Sequence, residues 1–235
     1  MSRRQMPGSG ESGYTLAEVI VALAIGVMLL GAIYSAVVTG QRSSVAIERK
    51  IAAHQDARAC LEIMSMEIQM ASFNPNFASG IWKDPSNCAS ASSTQSNKGI
   101  QEATDTAVTV EMDLNENSIV GSGDANEIIR YAYNSTDQYI TRATNCGSAQ
   151  PFLGDDPAAT DRPRTVRVVN GADTPVFRYY NGSGALLSPP VDIPSIRRIE
   201  ITLVVETEDI DPNMGQRRRM IYTTSVIPRN HAISP

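Results

Sequence analysis

Residues 19–38 carry no charge, and one glutamate, Glu18, stands at their head. Twenty residues of helix are about 30 Å long, the thickness of a bilayer hydrocarbon core. The run therefore reads as a membrane-spanning helix and is too long for the core of a secretory signal. Past it, residues 39–71 contain no proline and one glycine, Gly40. Ile47, Ile51, Ala57, Leu61, Met64, Ile68 and Ala71 recur there at nearly helical spacing. Arg49, Lys50, Gln55, Asp56, Glu62 and Gln69 fall on the opposite face. The pattern predicts one helix from Tyr14 to Ala71, roughly 58 residues or about 87 Å. Its first half is apolar all round; its second half is amphipathic and buries one stripe against a sheet. Asn74 and Pro75 end it.

The pattern then changes period. Residues 73–106 are loop-like, with Pro75, Pro85 and a Ser/Asn/Thr-rich tract. Strand alternation follows at residues 107–112, 127–133, 138–142, 165–169, 176–180, 198–207 and 220–227. The strongest strand puts Ile199, Ile201, Leu203 and Val205 on one face and Glu200, Thr202 and Glu206 on the other. A long helix followed by mostly antiparallel strands is an α+β architecture with the helix laid on the sheet. The expected division is 1–13 leader, 14–38 membrane helix, 39–73 amphipathic helix and 74–235 β-rich domain.

Arg3 and Arg4 precede the apolar run, so the positive-inside tendency keeps residues 1–13 cytoplasmic and sends the C-terminal mass outward. Glu18 at the edge of lipid is costly without a partner. It is either a carboxylate that snorkels to the interface or one that awaits a cation from another molecule. The chain has a net charge of −5, and losing Arg3, Arg4 and Glu11 with the leader would bring it to −6. Such an acidic domain is a poor match for nucleic acid. The one basic run, Arg217-Arg218-Arg219, reads as solvated strand.

Three cysteines allow three single pairings. Cys88 and Cys146 lie in polar, loop-rich sequence and are expected to pair in an oxidising compartment. Cys60, between Ala59 and Leu61 in the helical pattern, reads as a small buried apolar residue.

Asp113, Asn115 and Asn117 place oxygen donors at alternate residues, and Asp124 follows eleven after Asp113. This copies part of a calcium loop. Ser118 stands where the turn glycine belongs and Asp124 is short for a bidentate ligand, so a plain polar hairpin connection is the favoured alternative. Asp209, Asp211 and Asn213 stand similarly. The two histidines, His54 and His231, form no metal or catalytic set with the cysteines or serines, so an enzyme is not expected. No cofactor is expected, calcium being the one candidate.

Gly13-Tyr14-Thr15-Leu16-Ala17-Glu18 followed by the apolar run resembles the class III signal of type IV prepilins and pseudopilins. In that family a membrane peptidase cuts after the glycine, here Gly13, and methylates the new N-terminus, here Tyr14. The glutamate, here Glu18, pairs with the terminal amine of a neighbouring subunit. Tyr14 replaces the usual Phe or Met, and Ala17 a larger aliphatic. Residues 60–75 resemble the helix end of PilW-like minor pilins, departing at Gln69 and Ser72. Residues 223–230 resemble the last strand of PilW-like and J-type pseudopilins. The resemblance implies a pilin fold and a minor pilin that helps start a type IV pilus, or alternatively a J-type subunit of a type II secretion system. It implies a single-pass inner-membrane protein with a periplasmic C-terminal domain, extracellular once assembled, with prepilin peptidase and other pilins as partners. A reading of another class is a membrane-anchored adhesin or calcium-binding module.

Overall fold

The computed structural model describes residues 13–121, 123–158, 165–211 and 214–232. The chain divides into two compact units, Met1–Val45 and Ala46–Pro235. Helix α1 spans Leu16–Gln69 and contributes to both. It starts two residues later and ends two earlier than its sequence pattern predicts.

Within the second unit, α1 buries Ala53, Ala57, Cys60, Leu61, Met64 and Ile68. That spacing places all six on one side of a 3.6-residue helix. Ile47 and Ile51, expected in the same stripe, are 58% and 50% exposed, so the covered face begins at Ala53. Past Gln69 the chain tightens into a turn, and Ser72 takes a φ of 66°. Its N–H donates to the Glu111 carbonyl at 2.9 Å, which carries the chain onto the sheet. Gly99 lies against the same crossing. A Cβ there would stand 2.2 Å from the Glu111 carbonyl oxygen, so only glycine fits.

The first sheet is an antiparallel meander of β1 (Ile100–Ala103), β2 (Ala107–Glu111), β3 (Ile128–Asn134), β4 (Tyr139–Thr144) and β5 (Gln150–Leu153). The second centres on β8 (Arg198–Thr207). On one side β8 pairs first with β7 (Phe177–Tyr180) and then with β6 (Val166–Val168); on the other it pairs along its length with β9 (Arg219–Val226). Val108, Val110, Ile129, Tyr131, Phe177, Tyr179, Ile199, Ile201, Leu203 and Val205 join the helix stripe in one core. The observed architecture is thus α+β, one long N-terminal helix and antiparallel sheets, as in pilins. Glu67 ties helix to sheet: Tyr131 donates its hydroxyl to it, and Arg142 grips it with two N–H bonds of 3.1 and 2.6 Å. Burial and the Glu67 carboxylate hold the Tyr131 phenol well above its ordinary pKa.

β6 and β7 are collinear along β8, and the break between them would orphan backbone groups. Asn170 fills it. Its Oδ1 accepts the Val204 N–H at 2.9 Å, and its Nδ2 donates to the carbonyls of Thr174 and Thr202, both at 2.9 Å. Asn170→Ala leaves the Val204 N–H and the Thr202 carbonyl buried without these partners. It should destabilise the protein by about 3 kcal/mol, a Tm loss of roughly 6–12 °C by calorimetry. A loss under about 2 °C would mean that the strands close without this side chain.

The C-terminal segment folds back over the helix end through His231. The Ser72 hydroxyl meets His231 Nδ1 and His231 Nε2 meets the Ile193 carbonyl, both at 2.9 Å, and the Gly99 N–H donates to Ser72 Oγ at 3.0 Å. The carbonyl can only accept, so Nε2 carries the proton and Nδ1 accepts from Ser72. Burial pushes the imidazole below its ordinary pKa; the Ile193 carbonyl opposes this, and Lys98 and Arg197 reinforce it. The folded state therefore holds a neutral ring while the unfolded chain protonates near 6.5. The contribution is present above that pH and is lost as pH falls below it, because the unfolded chain then binds the extra proton. Tm should fall between pH 7 and pH 5, and His231→Gln should flatten that fall. An equal pH dependence in the variant would assign it elsewhere.

Candidate functional site

The head of α1 is built by Thr15 and Glu18. The Thr15 N–H and hydroxyl both donate to Glu18 Oε2 at 2.9 Å, and the Glu18 N–H returns to Thr15 Oγ1 at 3.3 Å. The first helical bond, Val19 N–H to the Thr15 carbonyl, follows at 3.2 Å. This is a reciprocal capping box with Thr15 as the N-cap. It sets the carboxylate against the positive end of the helix dipole. Thr15 escapes the sequence reading above, although its Thr-x-x-Glu spacing is the signal for it. Gly13 and Tyr14 precede the helix, and Tyr14 is 88% exposed.

Beyond the cap, none of the most apolar stretch of α1 is buried within the chain. Val19, Ile20, Leu23, Met28, Leu30 and Ile33 are all more than half exposed. By length and composition this helix can cross a membrane. So large an apolar surface has to be covered by lipid or by protein. Ala22 with Gly26, and Ala32 with Ala36, put small residues four apart, a spacing that lets helices approach closely. Residues 1–12 of the leader lie outside the described residues.

A helix with an uncharged first half and a capped carboxylate at its head, followed by antiparallel sheets, fits a membrane-anchored protein of pilin-like architecture. A family model described as the prokaryotic N-terminal methylation motif matches residues 8–34, which include Gly13, Tyr14, Glu18 and most of the apolar run. No curated protein and no solved structure gives a significant match. The motif supports a type IV pilin-like protein processed by prepilin peptidase and assembled with other pilins.

Cys88 and Cys146 form a disulfide with their Cα atoms 5.9 Å apart. Cys60 is a buried free thiol donating to the Phe152 carbonyl at 3.2 Å; burial, with Asp56 nearby, pushes its pKa up to about 12. His54 Nδ1 meets the Tyr222 hydroxyl at 2.7 Å, a helix-to-β9 contact. Asp209 pairs with Arg49 at 3.1 Å and Asp211 with Arg218 at 2.7 Å, while Asn213 lies outside the described residues. Arg217 donates to the Glu208 carbonyl, so two members of the basic run are held by their own loop and Arg219 is exposed. Asp113, Asn115, Asn117 and Asp124 are brought together. The Asp124 carboxylate receives Asn115 Nδ2 at 2.7 Å and Asn117 Nδ2 at 3.3 Å. Among the described residues, no three His, Cys, Asp or Glu side chains are grouped to hold a metal ion.

Proposed function

We propose that this chain is a minor pilin of the PilW kind. It is cut after Gly13, methylated at Tyr14, and held in the inner membrane by residues 19–38 with its C-terminal domain in the periplasm. It then joins other minor pilins in the complex that starts a type IV pilus. The observation that carries this reading is the capped Glu18 at the head of an apolar helix left uncovered by its own chain. In lipid the carboxylate is costly, and in a packed filament it needs a cation. Prepilin cleavage would create one, the N-terminal ammonium of a neighbouring pilin, just as cleavage after Gly13 would create one on Tyr14 of this chain. The helix-end and last-strand resemblances at residues 60–75 and 223–230 support the PilW assignment over a major pilin.

Intact-mass spectrometry of the protein from its own membranes tests the reading. A chain that begins at methylated Tyr14 is expected. A chain that keeps residues 1–13 in cells with active prepilin peptidase would reduce the protein to an ordinary single-pass anchored domain. The J-type pseudopilin shares this processing, so a deletion strain separates the two. Loss of surface pili fits the minor pilin, and loss of protein secretion with intact pili fits the pseudopilin.

A further inference from the structure

The connection between β2 and β3 contains more negative charge than its own contacts neutralise. Asp113 is fully buried at its start, and one carboxylate oxygen accepts the Asn117 N–H at 3.1 Å while the other accepts the Ser118 N–H at 2.9 Å. Asn115 Oδ1 accepts the Asn117 N–H at 3.1 Å, and Asn117 Oδ1 accepts the Ile119 N–H at 2.8 Å. Ser118 adopts a φ of 64°, so the backbone makes the turn that glycine would make in a calcium loop. Asp124 closes the set from the far side.

Glu127, three past Asp124, has no exposed surface. Its Oε1 accepts the N–H groups of Leu114 at 2.9 Å and Asn115 at 3.3 Å, which directs the carboxylate at the loop's first turn. Its Oε2 is buried with no hydrogen-bond partner among the described residues. A buried carboxylate oxygen without a donor is strongly unfavourable, and two further carboxylates nearby add repulsion. None of Asp113, Asp124 and Glu127 forms an ion pair among the described residues. A cation at this loop would neutralise the carboxylates and give Glu127 Oε2 a counter-charge. The donors are carboxylate and amide oxygens with no thiolate or imidazole among them, which selects a hard ion. We propose that the 113–127 loop binds calcium through Asp113, Asn115, Asn117 and Asp124, with Glu127 supplying the balancing charge.

Binding also has a route to the rest of the fold. Asn76 Nδ2 donates to the Glu116 carbonyl at 2.8 Å and to Ser118 Oγ at 3.1 Å, joining the loop to the segment that follows α1.

The test uses the full chain in detergent, stripped with EGTA and titrated with CaCl2 by calorimetry, with Tm read in parallel. Binding with Kd between about 10⁻⁵ and 10⁻³ M and a rise in Tm are expected. Asp124→Asn should weaken binding at least tenfold with an unchanged far-UV spectrum in EGTA. Glu127→Gln should have effects of opposite sign: a higher Tm in EGTA, because an unpaired buried charge is gone, and a smaller rise with calcium. No binding up to about 10 mM calcium, an equal response to magnesium, or parent-like titrations in both variants would each overturn the proposal.

Discussion

Glu18→Ala is expected to abolish filament assembly, at least a tenfold loss of sheared pili at native expression, while leaving the C-terminal domain folded. The two halves of that expectation have different physical sources. Removing the side chain deletes the acceptor of the Thr15 cap, which costs about 1 kcal/mol at one helix end and lies far in sequence from the buried stripe that begins at Ala53. The ectodomain Tm should therefore stay within about 2–4 °C of the parent. Assembly is another matter on the reading proposed above. There the carboxylate neutralises an ammonium that would otherwise be buried among apolar helices, and breaking a buried pair is strongly destabilising because one charge remains uncompensated. Glu18→Gln separates the two roles. Its amide oxygen still accepts from Thr15, so the cap persists, but the charge is gone. Failure of both variants, with cleavage and methylation intact by mass, assigns the effect to charge. Normal assembly of Glu18→Gln beside failure of Glu18→Ala and Thr15→Ala would assign it to helix capping, and normal assembly of Glu18→Ala would end the charge mechanism.

The parts of this fold that were legible in the sequence are those set by local period. The β8 pattern is realised with the expected limits, and Ile199, Ile201, Leu203 and Val205 are fully buried. Thr202 and Val204, on the face expected to be polar, are buried as well. Alternation reports which residues share a face and carries no information on what covers it. The same gap explains Ile47 and Ile51. Helical spacing placed them in the apolar stripe, yet the covering of the helix starts only at Ala53. β1 and β5 had no readable period. β1 has one buried residue in four, and β5 contains Pro151, which an edge strand tolerates because its unpaired side needs no N–H. Both exist through pairing with β2 and β4. Asn170 is a further case of the same kind, since its role depends on β8, thirty or more residues away. In the candidate sites, the alternate spacing of Asp113, Asn115 and Asn117 marks side chains that share hydrogen bonds within one loop, two of them with Asp124. Glu127 was missed because it enters from the start of the next strand pattern and contributes through burial, which spacing does not encode.

Breaking the Cys88–Cys146 disulfide should be the most damaging single change to stability. The bond closes a segment with a sequence separation of 58. On the chain-entropy argument that closure is worth roughly 4 kcal/mol, or about 8–16 °C in Tm. The segment has particular need of it. Between Ile81 and Lys98 the chain forms no strand, only an isolated bridge from Lys83 to Ala91 and one short 3₁₀ turn. Its apolar residues Ile81, Trp82 and Cys88 join Val120 and Ile128 in a small cluster separate from the main core. The disulfide fastens that cluster to the turn after β4, where Cys146 sits next to Asn145, itself bonded to both ends of the Ile128 peptide. Reduction, or Cys88→Ser with Cys146→Ser, should release this segment first. The loss should appear as protease cleavage between residues 81 and 98 below the temperature of global unfolding. Cys60 should not rescue the bond by exchange, because a buried thiol with its pKa near 12 supplies almost no thiolate at neutral pH. Cys60→Ser in the same assay should leave the response to reductant unchanged. A Tm loss under about 2 °C on full reduction would show that the small cluster holds the segment without the covalent link.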